Sequence, residues 1–208
     1  MTRSTPVPMQ SQRVVLASGN AGKLREFSEL LADAGFTLAR QSDFGIAPPP
    51  ETGTTFLENA LIKARNAARI TGLPAIADDS GLEVDALDGA PGVYSARFAG
   101  DAASDDANLA KLLEVLEGFP AARRAARYRC VIVFVRKADD PQPLIGAGTW
   151  EGHIIDTRRG EGGFGYDPSF VPRGDNRTVA EMPAAEKHAV SHRGQALRAF
   201  LAQLRAPA

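Results

Sequence analysis

Two aspartates stand side by side at the end of the apolar run "LPAIADDSG", where Asp78 and Asp79 precede Ser80-Gly81. Adjacent carboxylates repel unless a cation or a proton lies between them, and hard oxygen ligands suit Mg²⁺. The ends of buried strands are also where α/β proteins put their chemistry. Asp79, alone or with Asp78, is therefore the candidate carboxylate, and Ser80-Gly81 is expected to turn the backbone beside it. Asp85 and Asp88 have plainer explanations, as the wet side of the alternating stretch "LEVDAL" and as a turn former.

Glu51 stands alone between the prolines Pro48 to Pro50 and the stretch "TTFLE". Held on so stiff a loop it could share a metal with Asp79, or it could be an ordinary solvated glutamate. Glu58 is accounted for by its spacing from Thr55, which fits a capping box. On the helix that box opens, Asn59, Lys63 and Asn66 recur at i, i+4 and i+7, opposite Phe56, Ala60, Ala64 and Ala67. The stripe is either a wet helix face or, if it lines a cleft, a place for Lys63 to meet a polyphosphate.

"VVLASGNAGKLREF" joins a strand to a helix through a loop containing Gly19, Gly22 and Lys23. A P-loop needs G-x-x-x-x-G-K-[ST]; here Ala17 stands at the first glycine and Leu24 at the metal-binding hydroxyl. The physics of anion binding survives the mismatch. Glycines admit close backbone N–H groups, a helix N-terminus adds partial positive charge, and Lys23 adds a full one. Ser18 and Asn20 contribute side-chain donors. The competing reading is a simple strand-to-helix turn capped by Asn20.

Two later segments carry polar groups. "GEGGFG" matches a dinucleotide fingerprint letter for letter, but Tyr166-Asp167-Pro168 follows and cannot open the required helix. The segment looks instead like a mobile loop that presents Phe164, Tyr166 and Asp167 to a flat ligand. Lys187, His192 and Arg193 gather positive charge at the start of the last helix, either for an anion or as surface charge near a cap. No His/Cys spacing suits zinc, and no nucleophile elbow is present.

These residues need a scaffold. Periodicity predicts strands at Val14 to Ala17, within "FTLARQSDFGI", at "LPAIADDSG" and at "LEVDAL". The strongest strand signals are "RYRCVIVFVR" and "PLIGAGTWEGHIID", paired around a turn. Helices are predicted from about Asn20 to Ala34, Thr55 to Thr71, Ser104 past Leu116, and His192 to Arg205 with Ser191 as cap. Helices and strands interleave early and strands cluster late, so the class is α/β with a mixed sheet.

The chain has 208 residues, 44% of them hydrophobic, which suits one sizeable domain. A net charge of −1 gives no field for a nucleic-acid polymer, so any polyanion must be met by a local site. The single cysteine, Cys130, lies in an apolar strand and reads as a small buried hydrophobe of a reducing, cytoplasmic protein. No run is long enough to span a membrane. Residues 1–12 read as a disordered tail, 13–205 as the domain and 206–208 as a short C-terminal tail.

In order, "SGNAGK", "ETGTTFLENALIKA", "ADDSGLEVDALDGAPGVYSARF", "GGFGYDPSF" and "EKHAVSHRGQAL" resemble the inosine/xanthosine triphosphate pyrophosphatase family, over about Arg13 to Arg205. The resemblance implies an elongated, twisted mixed sheet flanked by helices, two lobes with a nucleotide cleft between them, and a homodimer. It implies Mg²⁺-dependent hydrolysis of ITP, dITP and XTP to the monophosphate and pyrophosphate. By position, it implies that Ser18, Gly19, Asn20, Ala21, Gly22 and Lys23 form the triphosphate loop, with Lys63 and Ser80 also on the substrate. It makes Asp79 the catalytic acid and a metal ligand, and Glu51 the second metal ligand. Phe164, Gly165, Tyr166, Asp167, Lys187, His192 and Arg193 then hold substrate and base.

Overall fold

The structure, a computed structural model, describes residues 12–19, 27 and 36–205. The helix expected at 20–34, the tail before residue 12 and the tail 206–208 lie outside the described residues, Phe27 excepted. Six strands are present: β1 (Gln12–Leu16), β2 (Phe36–Arg40), β3 (Ala75–Val84), β4 (Ala125–Val135), β5 (Leu144–Ile154) and β6 (Phe170–Pro172). They form one sheet in the order β2-β1-β3-β4-β5-β6. Strand β1 pairs in parallel with β2 and β3, and the remaining neighbours are antiparallel. The α/β class and mixed sheet are as expected.

Four helices flank the sheet among the described residues: α1 (Phe56–Thr71), α2 (Asp105–Val115), α3 (Ala184–Val190) and α4 (His192–Arg205). The start of α1 is the capping box: Thr55 Oγ1 accepts from the Glu58 amide at 3.2 Å, and Glu58 accepts from the Thr55 amide at 3.0 Å. Gly72 ends the helix at φ 68°, where a side chain would be strained. Ser104 caps α2, and Ser191 Oγ accepts from the Gly194 amide at the start of α4. None of the helices is long and apolar enough to cross a membrane.

The core fixes which way each strand residue points. Ala75 and Ala77 pack with Ala60, Ala64, Ala67 and Ala68 of α1, whereas Ile76 packs with Ala196, Leu197 and Phe200 of α4 and with Phe27. Neighbouring residues of β3 therefore face opposite layers. A third cluster joins Leu82 and Val84 to Leu109, Leu112 and Leu116 around α2, together with Trp150 and Phe170. Cys130 is buried, as expected.

Helix α4 lies so close to β5 that a Cβ on Gly146 would strike the Ala196 carbonyl, and one on Gly148 the His192 carbonyl. Gly148→Ala is expected to destabilise the fold by about 1–3 kcal/mol through overpacking. A urea denaturation midpoint checks this; an unchanged midpoint would contradict the close fit.

The sequence reading needs three corrections. Ser80-Gly81 does not turn: "AIADDSGLEV" is one strand of ten residues. Glycine is needed there because a Cβ on Gly81 would strike the Gly92 carbonyl and Ser95 Oγ, so it serves close packing rather than reversal. Strand β6, with three residues, and helix α3, with seven, were not foreseen, being too short to show a period.

Candidate active site

The parallel part of the sheet sets where a ligand can sit. The chain runs from β1 to β2 on one side, then through α1 to β3 on the other, so the connections diverge at the C-terminal ends of β1 and β3. Open α/β sheets bind ligands in that crevice. A pocket of about 240 Å³ lies there, lined by Ser18 and Gly19 after β1 and by Asp79 and Ser80 of β3. Glu51, Lys63, Phe164, Gly165, Tyr166, Asp167, Lys187, His192 and Arg193 line the same pocket. Asn20, Ala21, Gly22 and Lys23 lie outside the described residues.

Asp78 and Asp79 do not act as a pair. The alternation of β3 sends Asp79 toward α1, where Lys63 Nζ donates to its Oδ1 at 3.0 Å. Asp78 goes to the α4 side, with its Oδ2 3.7 Å from Arg193 Nε and Ser80 Oγ at 3.5 Å. Arg193 Nη2 donates to Ser80 Oγ at 3.1 Å. Each carboxylate thus has its own cation, and the repulsion expected between neighbours is relieved by strand geometry.

Glu51 joins Asp79 through that same lysine. Lys63 Nζ donates to Glu51 Oε1 at 2.8 Å, and Arg97 Nη1 donates to Glu51 Oε2 at 3.2 Å. Burial pulls the Lys63 pKa down, but the charges of Asp79, Asp78 and Glu51 outweigh it, leaving the ammonium above its usual range. A cation bridging two carboxylates over the pocket is the centre of the site.

The helix stripe is not a wet face at this end. Asn59 is fully buried, and its Oδ1 accepts from the Gly53 amide at 2.8 Å. A Cβ on Gly53 would meet Glu58 Cβ at 2.6 Å, so only glycine lets the loop lie against the helix start. Together they hold the segment carrying Glu51. Glu58 caps the helix and takes no part in the site; amide donors from Thr54 and Thr55 hold its carboxyl below the usual range.

The other end of the pocket is built on the Gly-rich loop. The loop is anchored rather than merely presented. Gly165 N donates to Asp105 Oδ2 at 2.9 Å, and Tyr166 turns its hydroxyl to the Ser95 carbonyl at 2.8 Å. Asp167 is buried, with Oδ1 accepting from Tyr128 OH and Oδ2 from Lys187 Nζ and the Phe164 amide, at 2.9–3.0 Å. Burial, with the Asp167 charge adding to it, pushes the Tyr128 hydroxyl well above its usual range, so it stays a donor. Phe164 remains a half-buried ring with two cations over it, Lys187 Nζ at 4.7 Å and Arg193 Cζ at 5.7 Å from its centroid. His192 is buried and stacks on Tyr128, with centroids 4.7 Å apart.

This arrangement can receive a polyanion at the β1 end and a flat, polar ring at the Phe164 end. A family model described as the Ham1 family matches residues 14–203. The chain belongs to the Ham1 family. It is 56% identical over 195 residues to a dITP/XTP pyrophosphatase of Vibrio parahaemolyticus, covering 94% of this chain and 98% of that one. A dITP/XTP pyrophosphatase of Methylococcus capsulatus is 57% identical over 195 residues, with coverages of 94% and 97%. Among solved structures, the HAM1 protein of Coxiella burnetii superposes with a TM-score of 0.87 at 49% identity, covering 93% of this chain and 98% of that one. A nucleoside-triphosphatase / dITP/XTP pyrophosphatase of Mycobacterium abscessus does so with a TM-score of 0.75 at 45% identity, covering 93% and 100%. The resemblance read from the five motifs is borne out.

Three residues that the structure brings to the site lie outside the roles that the motifs of this Ham1 chain imply. Tyr128 was legible in principle, since period two in "RYRCVIVFVR" puts it on the face of Cys130 and Ile132. Asn59 belongs by spacing to the polar stripe of α1, which does not distinguish a buried amide from a wet one. Arg97, in the 3₁₀ segment Gly92–Arg97, gave no signal.

Proposed function

We propose that the protein hydrolyses non-canonical purine nucleoside triphosphates, dITP, XTP and ITP, to the monophosphate and pyrophosphate. Such an activity removes deaminated purines from the nucleotide pool. The observation that carries this reading is the Lys63 bridge between Glu51 and Asp79 at the β1/β3 crevice, beside a base-sized ring site. The dITP/XTP pyrophosphatases to which the chain is 56% identical support it.

The two carboxylates fit Mg²⁺. They are hard oxygen donors arranged about one cationic centre, here the Lys63 ammonium. Among the described residues no group of three or more His, Cys, Asp or Glu side chains is placed to hold a metal. Mg²⁺ is commonly bound through one or two carboxylates, with water and substrate phosphate completing its shell. Glu51 and Asp79 would hold it. When bound, it neutralises phosphate oxygens and lowers the pKa of a water.

Asp79 orients a water at the α-phosphorus and accepts its proton. The water oxygen bonds to that phosphorus as the bridging bond to the β-phosphate breaks, and pyrophosphate leaves with the electron pair. Lys63 stabilises the charge moving onto the leaving group, and the family resemblance assigns the Ser18–Lys23 loop, with Lys23, to the same task. Because Asn59 holds the loop of Glu51, Asn59→Ala is expected to raise the Mg²⁺ requirement roughly 10- to 100-fold. A Mg²⁺ titration of turnover, run beside a melting curve, checks this; an unchanged requirement would contradict it.

Selectivity follows from donors and acceptors. Hypoxanthine and xanthine carry an acceptor O6 and a proton on N1, whereas adenine carries an amine and a bare N1. Arg193 can only donate and ionised Asp167 can only accept. A carboxylate offers about four acceptor sites, and among the described residues three donors reach Asp167, which leaves room for an N1–H. Phe164 adds a stacking face. The family resemblance further supports two lobes around the cleft, a homodimer and a cytoplasmic location, with no nucleic-acid polymer as partner.

Product analysis tests the reading. Equal amounts of nucleoside monophosphate and pyrophosphate are expected; nucleoside diphosphate would overturn it, with orthophosphate if the γ-phosphoryl group goes to water or with a phosphorylated acceptor if the site is a phosphotransferase with a degenerate P-loop.

A further inference from the structure

Strand β2 is the parallel neighbour of β1, and their register sets Arg40 against Leu16. Gln41, the next residue, is thereby carried to the C-terminal edge of the sheet beside the loop that follows β1. A 3₁₀ segment, Gln41–Phe44, begins there, and the Gln41 carbonyl accepts from the Ile46 amide at 3.2 Å, so the backbone is fixed. Gly45 closes that turn at φ 64°.

The side chain of Gln41 is only 5% exposed, yet it lines the pocket with Ser18, Gly19 and Lys63. Its Nε2 lies 3.8 Å from where a Cβ on Gly19 would stand. Its side-chain amide opens onto the pocket rather than being sealed in the core, and among the described residues it makes no hydrogen bond. A buried carboxamide normally makes its bonds, and one placed for a structural purpose would bond the loop it touches. Here the amide stands beside Gly19 and faces the pocket, where a ligand can take up its donors.

We propose that Gln41 is a substrate-binding residue of the polyphosphate end, donating from Nε2 to a phosphoryl oxygen of the group that leaves as pyrophosphate. A phosphoryl oxygen accepts without donating, which matches the amide N–H. Because the carboxamide is neutral, it adds a directed bond to an end where Lys63 already supplies charge. This assignment rests on the proposed nucleotide function for its choice of ligand, but its test does not need turnover.

The test is calorimetric binding of inorganic pyrophosphate with Mg²⁺ to the full chain, compared with Gln41→Met and the isosteric Gln41→Glu. The nucleoside monophosphate dIMP is the control ligand. Loss of one hydrogen bond to a charged group predicts about tenfold weaker pyrophosphate binding by Gln41→Met. Gln41→Glu should weaken it at least as much, because its charge repels phosphate. Binding of dIMP should stay within about twofold in both. If the parent chain binds pyrophosphate and the variants weaken it, the assignment stands even where dITP is not cleaved, and only the functional reading falls. Unchanged pyrophosphate binding in the variants, equal losses for dIMP, or no pyrophosphate binding by the parent chain would each overturn the assignment.

Discussion

Asp79→Asn is expected to lower dITP turnover by about 10²–10⁴-fold, the usual contribution of a positioned proton acceptor. Asparagine keeps the shape of a side chain that is 6% exposed, so the fold should survive. It removes the acceptor for the water's proton and one of the two carboxylates that Lys63 bridges. Nucleotide binding should hold within a few-fold, because the loop after β1, Lys63 and the Phe164 end are untouched. Single-turnover kinetics beside a binding titration separate the two effects. Near-normal turnover would remove Asp79 from its role.

Arg193→Ala is expected to cost about 3–5 kcal/mol of stability, the range seen when one partner of a buried ion pair is deleted. Arg193 is 2% exposed and Asp78 1%, so the aspartate cannot turn to water for replacement. The same change removes the donor assigned to O6, and the preference for dITP over dATP should collapse. Sites built on such polar matching can discriminate on the order of 10⁴-fold. Arg193→Lys divides the two effects. It returns a charge to Asp78 but loses the planar fork, so stability should recover while selectivity does not. A dITP preference unchanged in Arg193→Ala would refute the base-reading role.

The parts of the fold legible in the sequence were those with local, repeated signals. Helix α1 announced both ends, through Thr55/Glu58 and Gly72, and α4 showed its apolar face from Leu197 to Leu204 with Ser191 before it. The paired strands β4 and β5 are long, and β4 carries a run of β-branched residues. What escaped was either too short to carry a period, as β6 and α3, or decided by packing. Gly81 looks like a turn residue in any local reading; only its contact with the Gly92 carbonyl and Ser95 makes it a strand glycine.

The site divides in the same way. Asp79, Glu51 and Lys63 are candidates by residue type and spacing alone, whereas the proposal of Glu51 as a metal ligand rather than a solvated loop residue rests on the family resemblance. That Asp78 belongs to Arg193 required knowing that β3 continues through both aspartates, because only then does period two separate them. That Asp167 is clamped by Tyr128, Lys187 and the Phe164 amide required three distant segments to meet, and no local pattern encodes such a meeting.

Attack on the α-phosphorus by a water that Asp79 positions is the step on which the proposed reaction turns. It is tested most directly by cleaving dITP in ¹⁸O-labelled water and locating the label by mass spectrometry. One ¹⁸O is expected in the dIMP product and none in the pyrophosphate. Label in the pyrophosphate, or in released orthophosphate, would contradict it.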